Sequence, residues 1–170
     1  MAELFLRQGH PARAVAIYRR RMREHPEDEV AAGRLREIEA AHGLAPGGNM
    51  AFREHLQRIV DSTPGAVAST LMGFDGIAID TYQVGESDFD VASLLIEYAA
   101  AVQHVRKSAD TIPNVGHVDE VEIAATHLVA MMRPVTEEVF LGVVLRRNAL
   151  TGKARYLMRL SAPLLAKELL

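Results

Sequence analysis

Residues 71–80 read LMGFDGIAID, and this stretch predicts a β-hairpin. Asp75-Gly76 separates two alternating apolar runs, which is the strongest short-range signal for a two-residue type I′ turn with a positive φ at both central positions. The register that follows pairs Phe74 with Ile77, Met72 with Ile79 and Thr70 with Thr81. Both faces of the predicted ribbon carry apolar residues, so we expect other elements to cover it on more than one side.

Phe74 stands at the tip of this hairpin, where turns usually carry polar residues. A residue that flanks a two-residue bend does not easily reach the interior of the domain. We therefore predict that Phe74, Asp75 and Ile77 form an exposed apolar knob that binds a partner protein, because exposed aromatic residues on a rigid element are typical interface anchors. The alternative is that the first or the last helix of the domain caps Phe74 into the core.

Around the hairpin, the apolar periodicity of residues 50–170 predicts an α+β domain with the element order α-β-β-α-β-β-β-α. The predicted helices are residues 51–62, 90–112 and 152–170, the last one interrupted or restarted at Pro163. The predicted strands are residues 66–74, 77–84, 118–126, 128–135 and 139–147. The last strand reads VFLGVVLRR, and a near-continuous apolar run of this kind indicates a central strand that is covered on both faces.

The helix predicted at residues 90–112 is apolar over a wider arc than a surface helix needs. Ala92, Ile96 and Ala100 extend the apolar stripe beyond the side that would face the sheet. Such a helix needs a second partner, and in a chain of this size the simplest one is the same helix of another copy about a two-fold axis. The strand at residues 118–126 alternates apolar and polar residues around Val121 and Ile123, which is typical of an edge strand.

The chain upstream of residue 43 is expected to be a separate helical segment, joined to the domain by a linker at residues 43–49 that is rich in glycine and proline. The spacing of Gly9, Ala14, Tyr18 and Pro26 resembles the last part of a tetratricopeptide repeat, although Arg21 stands where that repeat usually has a small residue. A lone repeat is not normally stable. Residues 27–42, with Val30, Leu35 and Ile38, are therefore expected to supply a covering helix, and the segment to lean on the domain or on a partner.

A run of arginines, Arg19, Arg20, Arg21 and Arg23, suggests binding to nucleic acid or acidic lipid. Adjacent residues point around a helix, however, and acidic neighbours follow at residues 24 and 27–29. We therefore predict local ion pairs on a solvated face. The net charge of −3 also argues against a nucleic-acid partner for the whole chain.

Composition excludes several classes of function. The chain has no cysteine, so disulfides, zinc fingers and thiol nucleophiles are excluded and a cytoplasmic location is expected. We find no signal peptide and no apolar run long enough for membrane insertion. P-loop, dinucleotide-binding, zinc-protease and hydrolase motifs do not occur, so we expect neither an enzyme nor a cofactor.

Two polar sites, one a cluster of three residues and the other a single residue, have alternative interpretations. His117, Asp119 and Glu120 could be metal ligands, but neighbours in a strand point to opposite faces, and a solvated edge is the favoured reading. Asp80 is expected to lie at the sheet rim and to accept hydrogen bonds rather than to catalyse a reaction.

The segments MAFREHLQRIV, LMGFDGIAIDTYQ, IEYAAAVQ and GKARYLMRLSAP, with the element order, resemble the roadblock (dynein light chain roadblock) family and its MglC-like bacterial polarity members. The resemblance spans residues 50–170. It implies a five-stranded antiparallel sheet with the first and last helices on one face and the long helix on the other. It also implies a homodimer with antiparallel long helices and paired edge strands. The interface residues expected on this basis are Ala92, Ile96, Ala99, Ala100, Gln103, Val121 and Ile123.

The resemblance implies a non-enzymatic adaptor. Expected partners are a second copy, a roadblock regulator of the MglB type or a Ras-like GTPase of the MglA type, and a scaffold for cell polarity or gliding motility. One alternative is direct regulation of such a GTPase, for which Arg53, Arg133 or Arg146 could supply a guanidinium. Another is small-molecule sensing in a profilin- or GAF-like fold, which would need a cavity between the long helix and the sheet.

Overall fold

The structure, a computed structural model, describes residues 1–9, 11–42, 50–85 and 87–169. Its helices are α1 (Ala2–Arg7), α2 (Pro11–Glu24), α3 (Glu29–His42), α4 (Met50–Ser62), α5 (Val91–Asp110) and α6 (Thr151–Leu169). Its strands are β1 (Ala66–Gly73), β2 (Ala78–Gln83), β3 (Val121–Ala124), β4 (Leu128–Pro134) and β5 (Val139–Arg146). From α4 onward the predicted element order is confirmed. The predicted linker, residues 43–49, lies outside the described residues.

The five strands form one antiparallel sheet in the order β2-β1-β5-β4-β3. The apolar strand β5 is central and is buried over all but its last residue, as its sequence predicts. Helices α4 and α6 pack on one face and share a core with the sheet, whereas α5 packs on the other face with a core of its own. The predicted arrangement of helices around the sheet is therefore confirmed.

The hairpin between β1 and β2 forms, but its turn differs from the predicted one. The loop has three residues, because the N–H of Gly73 donates to the carbonyl of Ile77 and the N–H of Gly76 donates to the carbonyl of Gly73, both at 2.9 Å. Gly76 has a φ of 81°, while Asn114 is the one non-glycine residue with a positive φ in the described ranges. The type I′ prediction was wrong. The Asp75 carboxylate accepts the N–H of Ile77 at 3.1 Å, and this Asx-type bond lets one left-handed glycine close the turn.

The longer turn also changes the register near the tip. Thr70 pairs with Thr81 and Leu71 with Asp80 as predicted, but Met72 pairs with Ala78 instead of Ile79. Ile79 is therefore an extra residue in β2, a bulge that compensates for the third turn residue. As a result, Ile79 packs in the core beneath α4 and α6 rather than beside Met72, which faces α5.

Other predicted bounds also need correction. Strand β3 has four residues, whereas the sequence predicts nine. Helix α6 continues through Pro163 and is not interrupted there. Pro163 is exposed, so the carbonyl that loses its intrahelical partner lies on the solvent side, where water can satisfy it.

The N-terminal helices form a small unit of their own. Ala14 is fully buried, and Val15 of α2 packs against Ile38 of α3. Leu35 contributes to this contact, but Val30 is 83% exposed and does not belong to the covering face. Two local ion pairs are present as predicted, Arg20 with Glu24 and Arg21 with Asp28. Arg19 instead pairs with the buried Glu39 of α3, which was not predicted.

Helix α2 lies alongside β2, one of the two edge strands of the sheet. The N-terminal unit therefore leans on the domain, as expected of a segment too small to bury its own surface. Across the described part of the chain, every helix lacks the combination of length and apolar composition that crossing a bilayer requires.

Candidate interaction surfaces

The hairpin tip is a packed structure rather than a free knob. The Phe74 ring is half-buried, with its centroid 5.0 Å from that of Phe140 in β5. The guanidinium of Arg106 in α5 lies 4.7 Å above the Phe74 ring centre. Phe74 is therefore capped by α5, not by the first or last helix as the alternative prediction proposed. The reason is that the three-residue turn aims the ring at the face on which α5 lies.

Several hydrogen bonds hold this tip rigid. The N–H of Phe74 donates to the carbonyl of Glu138 at 2.9 Å, which ties the tip to the turn between β4 and β5. Arg106 pairs with the Glu137 carboxylate of that turn at 2.9 Å. Asp75 is exposed at the apex, and Ile77 is half-buried beside it. The three predicted partner-binding residues thus lie together as one acidic and two partly exposed apolar groups in a fixed arrangement.

The outer side of α5 presents a small apolar surface. Ala92 and Ala100 are exposed, and Ile96 between them is 41% exposed. Ala99, by contrast, is buried in the core beneath α5. Ala99 was included among the interface residues, but the structure places it against the sheet, because the buried stripe of α5 runs through Leu95 and Ala99.

This surface of α5 is continuous with the hairpin tip. A Cβ atom at Gly76 would lie 3.2 Å from Cγ1 of Ile96, so the helix and the turn are in close contact. Gln103 is half-buried and donates from Nε2 to the carbonyl of Phe74 at 3.4 Å. Ile96 and Gln103 therefore border the tip, and any partner that contacts one of these surfaces is adjacent to the other.

Strand β3 forms the other edge of the sheet. Val121 and Ile123 are half-buried and pack against the α5 core. The N–H of Ala125 donates to the carbonyl of Leu128 at 2.9 Å, and hydrogen-bonding residues alternate along an antiparallel ladder. The backbone groups of Glu122 and Ala124 therefore point away from β4, toward the open edge, where a further strand can pair.

An ion-pair network holds this edge strand in place. Glu120 accepts a hydrogen bond from Nε of Arg155 in α6, and Glu122 accepts one from Nη2 of the same arginine at 2.6 Å. Arg133 of β4 makes a longer contact with Glu120 at 3.4 Å. The bond to Glu120 raises the pKa of the Arg155 guanidinium. Arg155 is 35 residues from Glu120, so no local pattern in the sequence could reveal this pairing.

One of the candidate metal ligands, Glu120, belongs to this ion-pair network. Glu120 is occupied by arginine, and the described ranges contain no group of three or more His, Cys, Asp or Glu side chains that could hold a metal ion. His117 lies 3.5 Å from the carboxylate of Asp110 and is almost fully exposed. Asp119 is exposed as well.

Asp80 has the structural role that was expected. Its side chain is 7% exposed, and Oδ1 accepts hydrogen bonds from Nη1 of Arg53 at 2.9 Å and from the N–H of Thr81 at 2.8 Å. Arg53 also lies above the Tyr82 ring. The prediction that Asp80 accepts hydrogen bonds at the sheet rim is confirmed.

The three arginines considered for a role in GTP hydrolysis do not converge. Arg53 lies on α4 at the β2 side of the sheet, and Arg133 lies on β4 beside β3, each in an ion pair. Arg146 is exposed at the end of β5. A small-molecule site of the profilin or GAF type would need a cavity between α5 and the sheet. Buried apolar side chains form a continuous cluster at that place.

Comparison with solved structures relates this geometry to known proteins. MglC from Myxococcus xanthus, known from a crystal structure, is 36% identical in sequence to this chain. The match covers 70% of this chain and 99% of the MglC chain, with a TM-score of 0.51. The chain belongs to the roadblock family. Nearly a third of this roadblock protein has no counterpart in MglC.

Two further structures share the roadblock fold. An MglB with a tetrameric arrangement has a TM-score of 0.63 at 19% identity, over 75% of this chain and 97% of that one. A Roadblock/LC7 domain from Streptomyces avermitilis has a TM-score of 0.60 at 14% identity, over 68% of this chain and 95% of that domain. No family model and no curated protein matches the chain.

Proposed function

We propose that this protein is a non-enzymatic, homodimeric adaptor that links a Ras-like GTPase, or the roadblock regulator of that GTPase, to a scaffold for cell polarity or gliding motility. The observation that carries the proposal is the 36% identity to MglC over 99% of the MglC chain. A relative of the same fold from Thermus thermophilus is called gliding protein MglB, which supports a role in motility. Partners of this kind would place the protein in the cytoplasm.

The proposal divides the chain into three units. Residues 1–42 are a helical, tetratricopeptide-like segment, residues 43–49 are a linker, and residues 50–170 are the roadblock domain. The tetratricopeptide likeness is supported by Ala14, which is fully buried as the repeat pattern requires, and by Gly9, whose φ of 79° follows the end of α1.

Two surfaces support a homodimer. The outer side of α5 exposes Ala92, Ile96 and Ala100, which are small or apolar and allow close approach of a second helix. At the other surface, Val121 and Ile123 of β3 pack against the α5 core, and the outward backbone groups of β3 can pair with the same strand of a second copy. Together these contacts would bury apolar surface and satisfy edge hydrogen bonds at the same time.

The hairpin tip supports a docking site for the partner. Phe74 and Ile77 are partly exposed, Asp75 lies between them, and the backbone around them is held by the bonds to Glu138 and Gly73. A site that is rigid before binding loses little conformational entropy in the complex. We therefore assign Phe74, Asp75 and Ile77 to recognition of a roadblock protein of the MglB type.

Binding of the full-length protein to the MglB-type roadblock protein of the same organism tests the proposal. We expect Asp75→Lys to weaken binding by about tenfold or more, because it reverses the charge at the centre of the site. Phe74→Ala should weaken it by a similar factor, and it should also lower the free energy of unfolding by about 1–3 kcal/mol, since a half-buried ring is removed from Phe140. Tyr156→Ala is the matched control, because it removes a 61% exposed aromatic ring on the opposite face of the sheet.

Unchanged affinity for both tip variants would remove the hairpin from the proposal. A second measurement separates an adaptor from a regulator, namely GTP turnover by the partner GTPase with and without this protein. We expect turnover to be unchanged when the MglB-type protein is absent. A stimulation in its absence would show that the protein regulates the GTPase directly.

A further inference from the structure

A groove lies between the N-terminal helical unit and the hairpin tip. Its volume is about 460 Å³, enough for one or two side chains of another protein. The lining residues are Met1, Ile17, Arg20, Arg21, Glu24, His25 and Ile77. All but the last come from the helical unit, so the groove exists only because α2 lies alongside β2.

The chemistry of the groove is divided between its floor and its rim. Ile17 and Ile77 are half-buried apolar residues that both line it. At the rim, the side chains of Arg20 and Arg21 are 57% and 61% exposed. Arg20 pairs with Glu24 and Arg21 pairs with Asp28, so the rim carries two ion pairs with largely exposed guanidinium groups.

The rim arginines can accept a further anionic partner. Arg20 donates from Nε to Glu24 at 2.9 Å, and Arg21 donates from Nε to Asp28 at 2.7 Å. A guanidinium has five N–H donors, and exposed ion pairs of this kind contribute only about 0–1 kcal/mol, so a carboxylate from another protein can share or replace them. Arginine is also the cation that binds carboxylates with defined geometry.

The groove is continuous with the docking site proposed above. Ile77 belongs to both, and the neighbouring Gly76 contacts Ile96 of α5. A partner seated on Phe74, Asp75 and Ile77 would therefore meet the groove next. MglC is covered almost completely by 70% of this chain, which leaves the helical unit as a feature that this protein adds to the shared fold.

We propose that the groove and the hairpin tip form one composite docking surface, in which the groove takes an apolar side chain of the partner protein while Arg20 and Arg21 bind an acidic residue next to it. This inference rests on the proposed function of the hairpin tip. Its partner is a protein segment that presents an apolar side chain beside a carboxylate, because the floor is apolar and the rim offers the exposed guanidinium groups of Arg20 and Arg21. The helical unit thereby gives the roadblock domain a specificity that the domain alone lacks.

The test uses the full-length protein with the MglB-type roadblock protein of the same organism as the probe. We expect Arg20→Glu/Arg21→Glu to weaken binding by about tenfold or more at low salt, and to reduce the dependence of affinity on salt. The matched control is Arg36→Glu/Arg58→Glu, which makes the same change in net charge at two exposed arginines outside the groove. We expect this control to change affinity by less than about threefold.

A milder double variant, Arg20→Gln/Arg21→Gln, removes the two charges without reversing them. It tests the same contact if the glutamate variant disturbs the helices, which circular dichroism of each variant would reveal.

The outcomes separate the composite surface from the adaptor function. If the hairpin variants weaken binding but both arginine pairs match the control, the composite surface is overturned and the adaptor role stands. If the hairpin variants do not affect binding, the hairpin and with it the composite surface are removed, and the adaptor role stands. If the unmodified protein does not bind the probe, the proposed function fails as well.

Discussion

At the scale of single residues, Arg155 joins α6 to the short edge strand β3. It binds Glu120, the residue before the strand, and Glu122, the second residue of the strand. The Glu120 side chain is only 13% exposed, so its carboxylate depends on arginine partners for compensation of its charge. A four-residue strand at the edge of a sheet has few other contacts, which makes this clamp important for its position.

We predict that Arg155→Ala lowers the free energy of unfolding by about 1–2 kcal/mol, because a largely buried carboxylate loses its nearest hydrogen-bond donor. The effect should be concentrated at β3, where amide hydrogen exchange should accelerate more than in β5. Arg159→Ala is the control, since Arg159 is exposed on the same helix. Equal exchange at β3 in the two variants would contradict the clamp.

At the scale of elements, the three N-terminal helices are held together in large part by exposed polar contacts. Glu3 of α1 accepts hydrogen bonds from Arg34 of α3 at 2.8 Å and from Tyr18 of α2 at 2.9 Å. The bond from Arg34 is the larger cause, and with the one from Tyr18 it lowers the pKa of Glu3 from 4.5 to about 2. The apolar core of the unit is small, so these contacts affect how firmly it packs.

The direction of the pH effect follows from that lowered pKa. A carboxyl whose pKa is lower in the folded state stabilises the fold fully above its unfolded value, and the stabilisation is lost as the pH falls from 4.5 toward about 2. We predict that amide protection in α1–α3 falls between about pH 5 and pH 2.5. Glu3→Gln should reduce that loss, whereas Glu37→Gln, which alters an exposed partner of the same Arg34, should not. The Asp28 carboxyl accounts for part of the remainder, because its pKa is also lowered, chiefly by the N–H of Ala31.

At the scale of the whole molecule, the proposed dimer depends on backbone groups that point outward from β3. We predict that Ala124→Pro converts a dimer into a monomer, because proline removes an outward N–H and blocks strand pairing at that point. Its effect within one chain should be small, since the ladder to β4 uses the alternate residues. Light scattering measures the mass, and Ala124→Ser is the control. A dimer that persists in the proline variant would exclude pairing through β3.

Much of this architecture is predictable from the sequence because it depends on local periodicity. The apolar run in β5, the wide apolar arc of α5 and the Asp75-Gly76 signal each indicate an element correctly. The bulge at Ile79 is not predictable in this way, since it depends on which face of β2 meets α4. Likewise, periodicity marks α5 as apolar on several sides but does not say that Ala99 faces the sheet while Ile96 faces outward. Contacts between distant segments, such as Arg155 with Glu120, have no local signal at all.

The position of α2 beside β2 limits how many copies can join. A sheet with two available edges can add copies without end, as fibres do. Here one edge is occupied by a helix of the same chain, and β3 is the edge that remains for pairing. Growth by strand addition would therefore stop at two subunits, so the fold itself favours a finite, symmetric particle over a filament.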